Sequence, residues 1–174
     1  MPGKIILTTG RLILREFDED DAAAFLILGS DPAITRYTGD GGLRDVAQAR
    51  EELRTRPLAD YRQHGFGRWA CVDRDSDDVI GFAGLKYLDE LREVDIGYRL
   101  LPSYWGKGLA TEAGRAIIDY GFEQLHLTQI IGLVEPDNIA SIRVLQKLGL
   151  THTGPIIYRS QTVNRYLLKT NTEH

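Results

Sequence analysis

Apolar residues recur at two different spacings along this chain, and the switch between them marks its parts. Arg11-Leu-Ile-Leu-Arg15 reads as a first strand. Asp18-Glu-Asp-Asp21 supplies a cap and helix-start acids for a helix over Ala22–Leu28, which Gly29 should stop. Asp40-Gly-Gly42 reads as a break. From Leu43 the three-to-four spacing of Val46, Ala49 and Leu53 marks another helix with a charged outer face. Pro57 should kink or split it before Gly65, because a proline inside a helix costs about 3 kcal/mol.

Beyond Gly65 the period falls to two. Gly67–Val72, Val79–Tyr87 and Val94–Leu101 read as strands, joined by the polar turn Asp73–Asp78 and a short turn near Asp89. Short connections between neighbouring strands imply an antiparallel meander. The helical period then returns over Ala110–Leu125. Glu112, Arg115, Asp119 and Glu123 form its polar stripe; Ala113, Ala116, Ile117, Tyr120 and Gly121 form its apolar one, widened by Ile118 and Phe122. Gln129–Val134 is a strand placed to return parallel to the one before the helix, by a right-handed crossover. Pro136-Asp-Asn138 opens a further helix with Ile139, Ile142, Leu145 and Leu148 on one face, ended by Gly149. Ile156–Tyr158 and Asn164–Lys169 read as a closing hairpin. The expected fold is α/β, one domain over residues 1–174, with a mixed, mainly antiparallel central sheet flanked by helices.

Composition changes this picture little. At 174 residues, with 43% apolar and 26% charged positions, the chain can bury a real core. A net charge of -4 argues against nucleic acid as a partner, and any polyanionic ligand must be met by local dipoles and single cations. Cys71 stands alone, which fits a reducing, cytoplasmic setting and a core role for that residue. No signal-peptide core and no membrane-spanning run is visible. His64, His126, His152 and His174 have no metal-ligand spacing, so no metal is expected. Trp69 reads as core, and Arg11 and Arg15 as a solvated strand edge.

The chemistry concentrates in Leu100–Ala113, where Gly106 and Gly108 bracket Lys107 at the start of a helix. The first N–H groups of a helix have no partner within it, and the macrodipole puts positive potential there. Strand, glycine loop and helix N-terminus together make a phosphate cradle. A Walker A loop needs Ser or Thr after Gly-Lys, and Gly108 stands there instead. A dinucleotide fingerprint needs a third glycine where Thr111 stands, although Glu135 is placed to imitate its ribose-binding acid. A coenzyme A pyrophosphate loop is the third reading.

Motifs in order along nearly the whole chain favour that third reading. They are Thr9-Gly-Arg-Leu-Ile-Leu-Arg15 with Asp20-Asp21, Gly81-Phe-Ala-Gly84, Asp95-Ile-Gly-Tyr98, Tyr104-Trp-Gly-Lys-Gly-Leu-Ala-Thr-Glu112 and Pro136-Asp-Asn-Ile-Ala-Ser-Ile-Arg-Val-Leu-Gln-Lys-Leu-Gly149. On these the chain resembles the GNAT superfamily of N-acyltransferases, and within it the Rim-type group that includes ribosomal-protein alanine N-acetyltransferases. Trp105, where most of the superfamily has Gln or Arg, is usual in that group.

The resemblance implies direct transfer of the acetyl group of acetyl-CoA to a primary amine. It implies that backbone N–H groups of Gly106, Lys107, Gly108, Leu109 and Ala110 take the pyrophosphate, with Trp105 in the same loop. Pantetheine would run along Tyr98–Leu100, with the Leu100 N–H at the thioester oxygen. Asn138 and Ser141 are three apart and share a helix turn. Asn138 reads either as an N-cap or as a pantetheine ligand, and Ser141 either as a surface hydroxyl or as a donor to the departing thiolate. Asp95 stands where the group usually carries Glu and is the first choice of general base, directly or through water, with Glu93, Glu135 and water itself in reserve. A structurally paired carboxylate is the alternative for each acid. The acceptor is expected to be a protein N-terminus or a small amine, walled by residues 29–65, on a monomer or homodimer. A catalytically silent acyl-CoA-binding module is the contrasting reading.

Overall fold

Residues 3–35 and 42–171 are described by the computed structural model. One sheet runs through it, made of β1 (Ile5–Thr8), β2 (Leu12–Arg15), β3 (Arg68–Asp73), β4 (Val79–Leu88), β5 (Glu93–Leu100), β6 (Gln129–Val134), β7 (Thr151–Tyr158) and β8 (Gln161–Lys169). Their order in space is β1-β2-β3-β4-β5-β6-β8-β7. Every neighbouring pair is antiparallel except β5 and β6, which are parallel. The mixed, mainly antiparallel sheet expected from the period-two runs is therefore present, with helices on both faces.

The alternation within strands assigns those faces. Trp69 and Cys71 of β3 join Leu85, Ile96 and Ile117 in the larger core cluster, while Ala70 between them joins Phe17, Ala22, Ala49 and Leu53 in a second one. Helices α5 (Leu109–Glu123) and α6 (Ile139–Lys147) pack against the first face. Helices α1 (Ala22–Ser30), α3 (Val46–Thr55) and α4 (Pro57–His64) cover the second, and a short α2 (Pro32–Thr35) follows α1. Cys71 is wholly buried, and burial pushes its thiol up, as suits a core residue and not a nucleophile.

Several expectations are corrected. The first strand of the sheet is β1, an edge strand whose exposed Ile5 gives no alternation to read. Gly29 does not end α1, which runs to Ser30. Its glycine serves packing, since a Cβ there would lie 2.4 Å from Leu43 Cδ1. Arg15 is no solvated edge: β2 is an interior strand, and Arg15 makes two 2.8 Å hydrogen bonds to the buried Asp21. Ile139, placed on an apolar face, is 53% exposed. The closing hairpin is longer than its apolar residues suggested, with β7 starting at Thr151.

The split at Pro57 is found. Proline takes the first position of α4, where its missing N–H costs nothing, and Gly65 ends that helix in the left-handed region at φ 81°. Asp40 and Gly41 of the expected break, and His174, lie outside the described residues.

Candidate active site

The seam between β5 and β6 is the opening in this sheet. Their parallel pairing is confined to Asp95 opposite Ile131, so Ile96–Leu100 and Gly132–Val134 carry no ladder to one another. Side-chain chemistry holds this seam apart. Leu133 N–H, which a β5 carbonyl would otherwise accept, donates to Asp95 Oδ1 at 3.0 Å. Asp95 Oδ2 accepts from Arg68 Nη2 at 2.5 Å, and Arg68 Nη1 donates to the carbonyls of Gly84 and Asp95 at 2.9 and 2.8 Å. Gly97 makes room for that guanidinium, because a Cβ there would stand 2.5 Å from Arg68 Cζ. Asp95 is 7% exposed. Burial pushes its carboxyl up, more than the Arg68 charge and the Leu133 N–H pull it back.

Beyond the wedge, β5 presents its backbone to the opening. Leu101 N–H donates to Ile80 O of β4 at 2.9 Å. Backbone groups alternate sides along a strand, so the Leu100 N–H and C=O face the β6 side. The Leu100 carbonyl there accepts from Trp105 Nε1 at 2.8 Å, which pins the half-exposed indole over the end of the strand. The Leu100 N–H is the donor left pointing into the opening.

Six residues beyond Leu100 the glycine loop begins, and it turns the chain into α5. Gly106 and Gly108 both sit in the left-handed region, at φ 74° and 77°, where a side chain is strained. Crowding is not the reason for glycine at Gly106, because a Cβ would meet nothing within 4 Å. Gly108 is the N-cap of α5, with no side-chain cap on the helix amides. The N–H groups of Leu109 and Ala110 thus lie at the open, positive end of a 15-residue helix. Lys107 Nζ lies 5.2 Å from the centre of the Tyr104 ring, beside the loop.

A clamp that sequence reasoning missed holds this loop. Glu112 Oε2 accepts from Thr9 Oγ1 at 2.6 Å and from Arg11 N at 3.0 Å, while Glu112 Oε1 accepts from Arg11 Nε at 2.8 Å. Arg11 Nη1 then donates to the Lys107 carbonyl at 2.9 Å. Burial raises the Glu112 carboxyl, but the bonds from Thr9 and Arg11 outweigh it and hold it below its ordinary range. Arg11 is exposed, as expected, but it also ties β2 to the glycine loop through Glu112 and the Lys107 carbonyl. The only signal was the Thr9-Gly-Arg11 motif itself, which has no local reason to be polar.

Across the opening, Asn138 Oδ1 caps α6 by accepting from Ser141 N at 3.3 Å. Ser141 Oγ donates to Tyr98 OH at 3.1 Å, and Tyr98 OH donates to the Ser141 carbonyl at 2.9 Å. This pair ties β5 to α6. Burial pushes the Tyr98 phenol up and keeps it a donor. Tyr98, Ser141 and Asn138 are thus linked to one another, and Trp105 is linked to Leu100 just before the loop from Gly106 to Ala110. Of the two reserve acids, Glu93 is engaged by Arg165, whose Nε lies 3.1 Å from Oε2, and by Gln129 Nε2 at 3.0 Å. Glu135 follows β6, and its carbonyl accepts from Asn138 N.

On the opposite face of the sheet, a cavity of about 230 Å³ lies between α1, α3, α4 and the strands. Residues from the 29–65 segment wall it, including Gly29, Leu43, Glu52 and Asp60, and Arg99 of β5 reaches it between Tyr98 and Leu100. No group of three or more His, Cys, Asp or Glu side chains that could hold a metal occurs among the described residues. Nor is any helix there long and apolar enough to cross a membrane.

Residues 11–151 match the model of the acetyltransferase (GNAT) domain family. A protein of Bacillus licheniformis named uncharacterized N-acetyltransferase p20 is 37% identical over 150 residues, covering 85% of this chain and 83% of that protein. A spermidine N(1)-acetyltransferase of Escherichia coli K12 is 35% identical over 80 residues, 44% of this chain and 43% of its own. The crystal structure of an acetyltransferase from Agrobacterium tumefaciens superposes with a TM-score of 0.80 at 26% identity, over 94% of each chain.

Proposed function

Because the chain belongs to the GNAT family of acetyltransferases, and is thereby an acetyl-CoA-dependent N-acetyltransferase, we propose that it acetylates a small primary amine entering from the α1–α4 face. The observation that supports this reading is the juxtaposition of an uncapped helix end with a strand whose free N–H faces an opened seam. The pyrophosphate of acetyl-CoA lies on the amides from Gly106 to Ala110 with Lys107 as cation, and pantetheine follows Tyr98–Leu100 toward Asn138.

The amine lone pair attacks the thioester carbon from the cavity side of β5. Negative charge then grows on the carbonyl oxygen against the Leu100 N–H, a donor of the kind worth about 3–4 kcal/mol in favourable sites. The C–S bond breaks, and the thiolate takes a proton from Ser141, whose hydroxyl turns from Tyr98 to the sulfur and is reprotonated by the water that took the amine proton. In this reading Asp95 is the wedge that keeps the seam open, and deprotonation of the amine falls to water. Only the free-base fraction of the amine reacts, so the rate should rise with pH until the amine has titrated. The cavity suits a small molecule better than a polypeptide N-terminus.

The test is thiol release from acetyl-CoA in the presence of an amine panel that includes peptides. Acetyl-CoA at a hundred times its dissociation constant should stabilise the protein by about 2.7 kcal/mol. A melting temperature unmoved by millimolar acetyl-CoA, with no amine-dependent thiol release, overturns the reading.

A further inference from the structure

The β1–β2 turn brings a second cation to the open end of α5. Arg11 is held there by its own backbone: its N–H donates to Glu112 Oε2 at 3.0 Å, and its carbonyl accepts from Arg74 N at 3.0 Å. Its side chain is used only in part. Nε donates to Glu112 Oε1 and Nη1 to the Lys107 carbonyl. A guanidinium carries five N–H donors in one plane, so three remain, one on Nη1 and both on Nη2. They have no acceptor among the described residues, and the side chain is 51% exposed.

Those donors stand beside the helix end. A Cβ on Gly108 would have Arg11 Nη2 at 3.7 Å. Gly108 is the N-cap of α5, and no side chain caps the amides that follow it. Lys107, by contrast, has its Nζ 5.2 Å from the centre of the Tyr104 ring, whose face holds part of its charge. Glu112 is the acid that could compete with an anion here, because a carboxylate in the first turn is drawn to the positive helix end. Both its oxygens are instead occupied by Thr9 and Arg11, at 2.6–3.0 Å. One ion pair thus turns the carboxylate toward the β1–β2 turn and brings a planar fork to the helix end. The pair is neutral as a whole, so what it offers is directed donors. Phosphate oxygens are acceptors that such a fork matches with two parallel bonds.

Resting on the acetyltransferase reading above, we propose that Arg11 is a coenzyme A ligand, whose free Nη1 and Nη2 donors take the diphosphate together with the amides at the start of α5. The β1–β2 turn is then one wall of the cofactor site. The diphosphate is favoured over the 3′-phosphate of the same molecule because Nη2 lies at the N-cap itself, where the free helix amides begin. Arg11 binds and gives up no proton, since a guanidinium stays charged. With its backbone pinned and two of its donors already placed, it has little freedom left to lose on binding.

Calorimetry on the full chain compares CoA with 3′-dephospho-CoA in the parent, Arg11→Gln, Arg11→Lys and Glu112→Gln, at low and high salt. Arg11→Gln should weaken both ligands alike by about thirtyfold, against roughly fivefold for Glu112→Gln. It should also flatten the salt dependence of binding, because a charge beside the anion is gone. Arg11→Lys keeps the charge and loses the fork; its affinity should fall between, with the parent's salt dependence. An Arg11→Gln effect no larger than that of Glu112→Gln, with salt dependence unaltered, would make Arg11 a part of the clamp only and overturn the proposal. Weakening of CoA without weakening of 3′-dephospho-CoA would overturn it by moving the contact to the 3′-phosphate. If Arg11→Gln does not fold, Arg11→Lys decides alone, and parental affinity in that variant overturns the proposal. Each of these results leaves the acetyltransferase reading intact. Absence of any melting shift with acetyl-CoA and of any amine-dependent thiol release would overturn both.

Discussion

The two faces of β5 are built from different materials. On the α5–α6 side the donors are main chain: the uncapped amides of α5, the glycine loop before it and the Leu100 N–H. On the α1–α4 side the cavity is lined by long charged side chains paired across segments far apart in sequence, such as Lys86 with Asp60 and Arg68 with Asp95. Backbone donors suit a constant ligand that every turnover must present in the same way. Side-chain pairs can be exchanged one at a time, and so suit the substrate that distinguishes one enzyme from its relatives. The difference teaches where to expect generality and where to expect specificity in this molecule.

The largest effect should come from the wedge between the faces. Asp95→Ala leaves the Arg68 guanidinium buried and unpaired, and should cost about 3–5 kcal/mol in urea unfolding. Asp95→Asn separates wedge from base. If Asp95 is the wedge, stability falls and the pH–rate profile keeps its shape. A stable Asp95→Asn variant that loses about a hundredfold in kcat together with its acidic limb would instead make Asp95 the base.

Next in size is the backbone side. Gly108→Val places a β-branched residue at φ 77°, and should cost about 1–2 kcal/mol of stability through left-handed strain. It should also weaken acetyl-CoA at least tenfold by calorimetry, because the loop must rebuild. Unchanged affinity would mean that the loop amides are not the pyrophosphate site. Ser141→Ala should lower kcat by roughly tenfold, at the lower edge of what a proton donor contributes, and leave acetyl-CoA binding within about twofold. An unaltered kcat removes Ser141 as donor.

Smaller still is the clamp. Glu112→Gln weakens charge-assisted bonds to Thr9 and Arg11, and should raise KM for acetyl-CoA by about fivefold, near 1 kcal/mol. The two acids also respond to pH with opposite sign. The folded Glu112 carboxyl is below its ordinary range, so its stabilisation is present above the unfolded pKa of about 4.3 and lost as pH falls through the folded value. The folded Asp95 carboxyl is raised, so its contribution is full below the unfolded pKa of about 3.9 and lost as pH rises through the folded value. Comparing Glu112→Gln with the parent in acid unfolding should therefore remove a stabilisation that is largest above that range. A flat difference across pH would break the clamp.

The α5–α6 side was largely legible beforehand as local structure. Gly106 and Gly108 sit next to the helix they introduce, Asn138 and Ser141 share one turn, and the period change near Gly65 locates the meander. These signals are local, and local spacing survives any tertiary arrangement. The cavity on the α1–α4 face was legible only as a segment, residues 29–65, because its walls come from five separate stretches. Arg68 showed no sign of its role until Gly97 and Gly84 were placed around it, and Arg15 was misread because the strand beyond it was too exposed to be recognised. Glu112 fitted the polar stripe of α5 so well that nothing distinguished it from a solvated residue until Arg11 arrived from 101 positions away.

By itself, then, the order of residues determined most of the strands and helices, the glycine loop that opens α5 and the family. Each of these depends on neighbours within a few positions, through backbone conformation and side-chain period. Only the tertiary structure decided that Asp95 is tied up by Arg68 and Leu133, that β5 and β6 part beyond it, and that Asp60 of the cavity is paired with Lys86. Those facts are energies of burial and charge between distant residues, and such energies have no value until folding brings the partners to within a few ångströms.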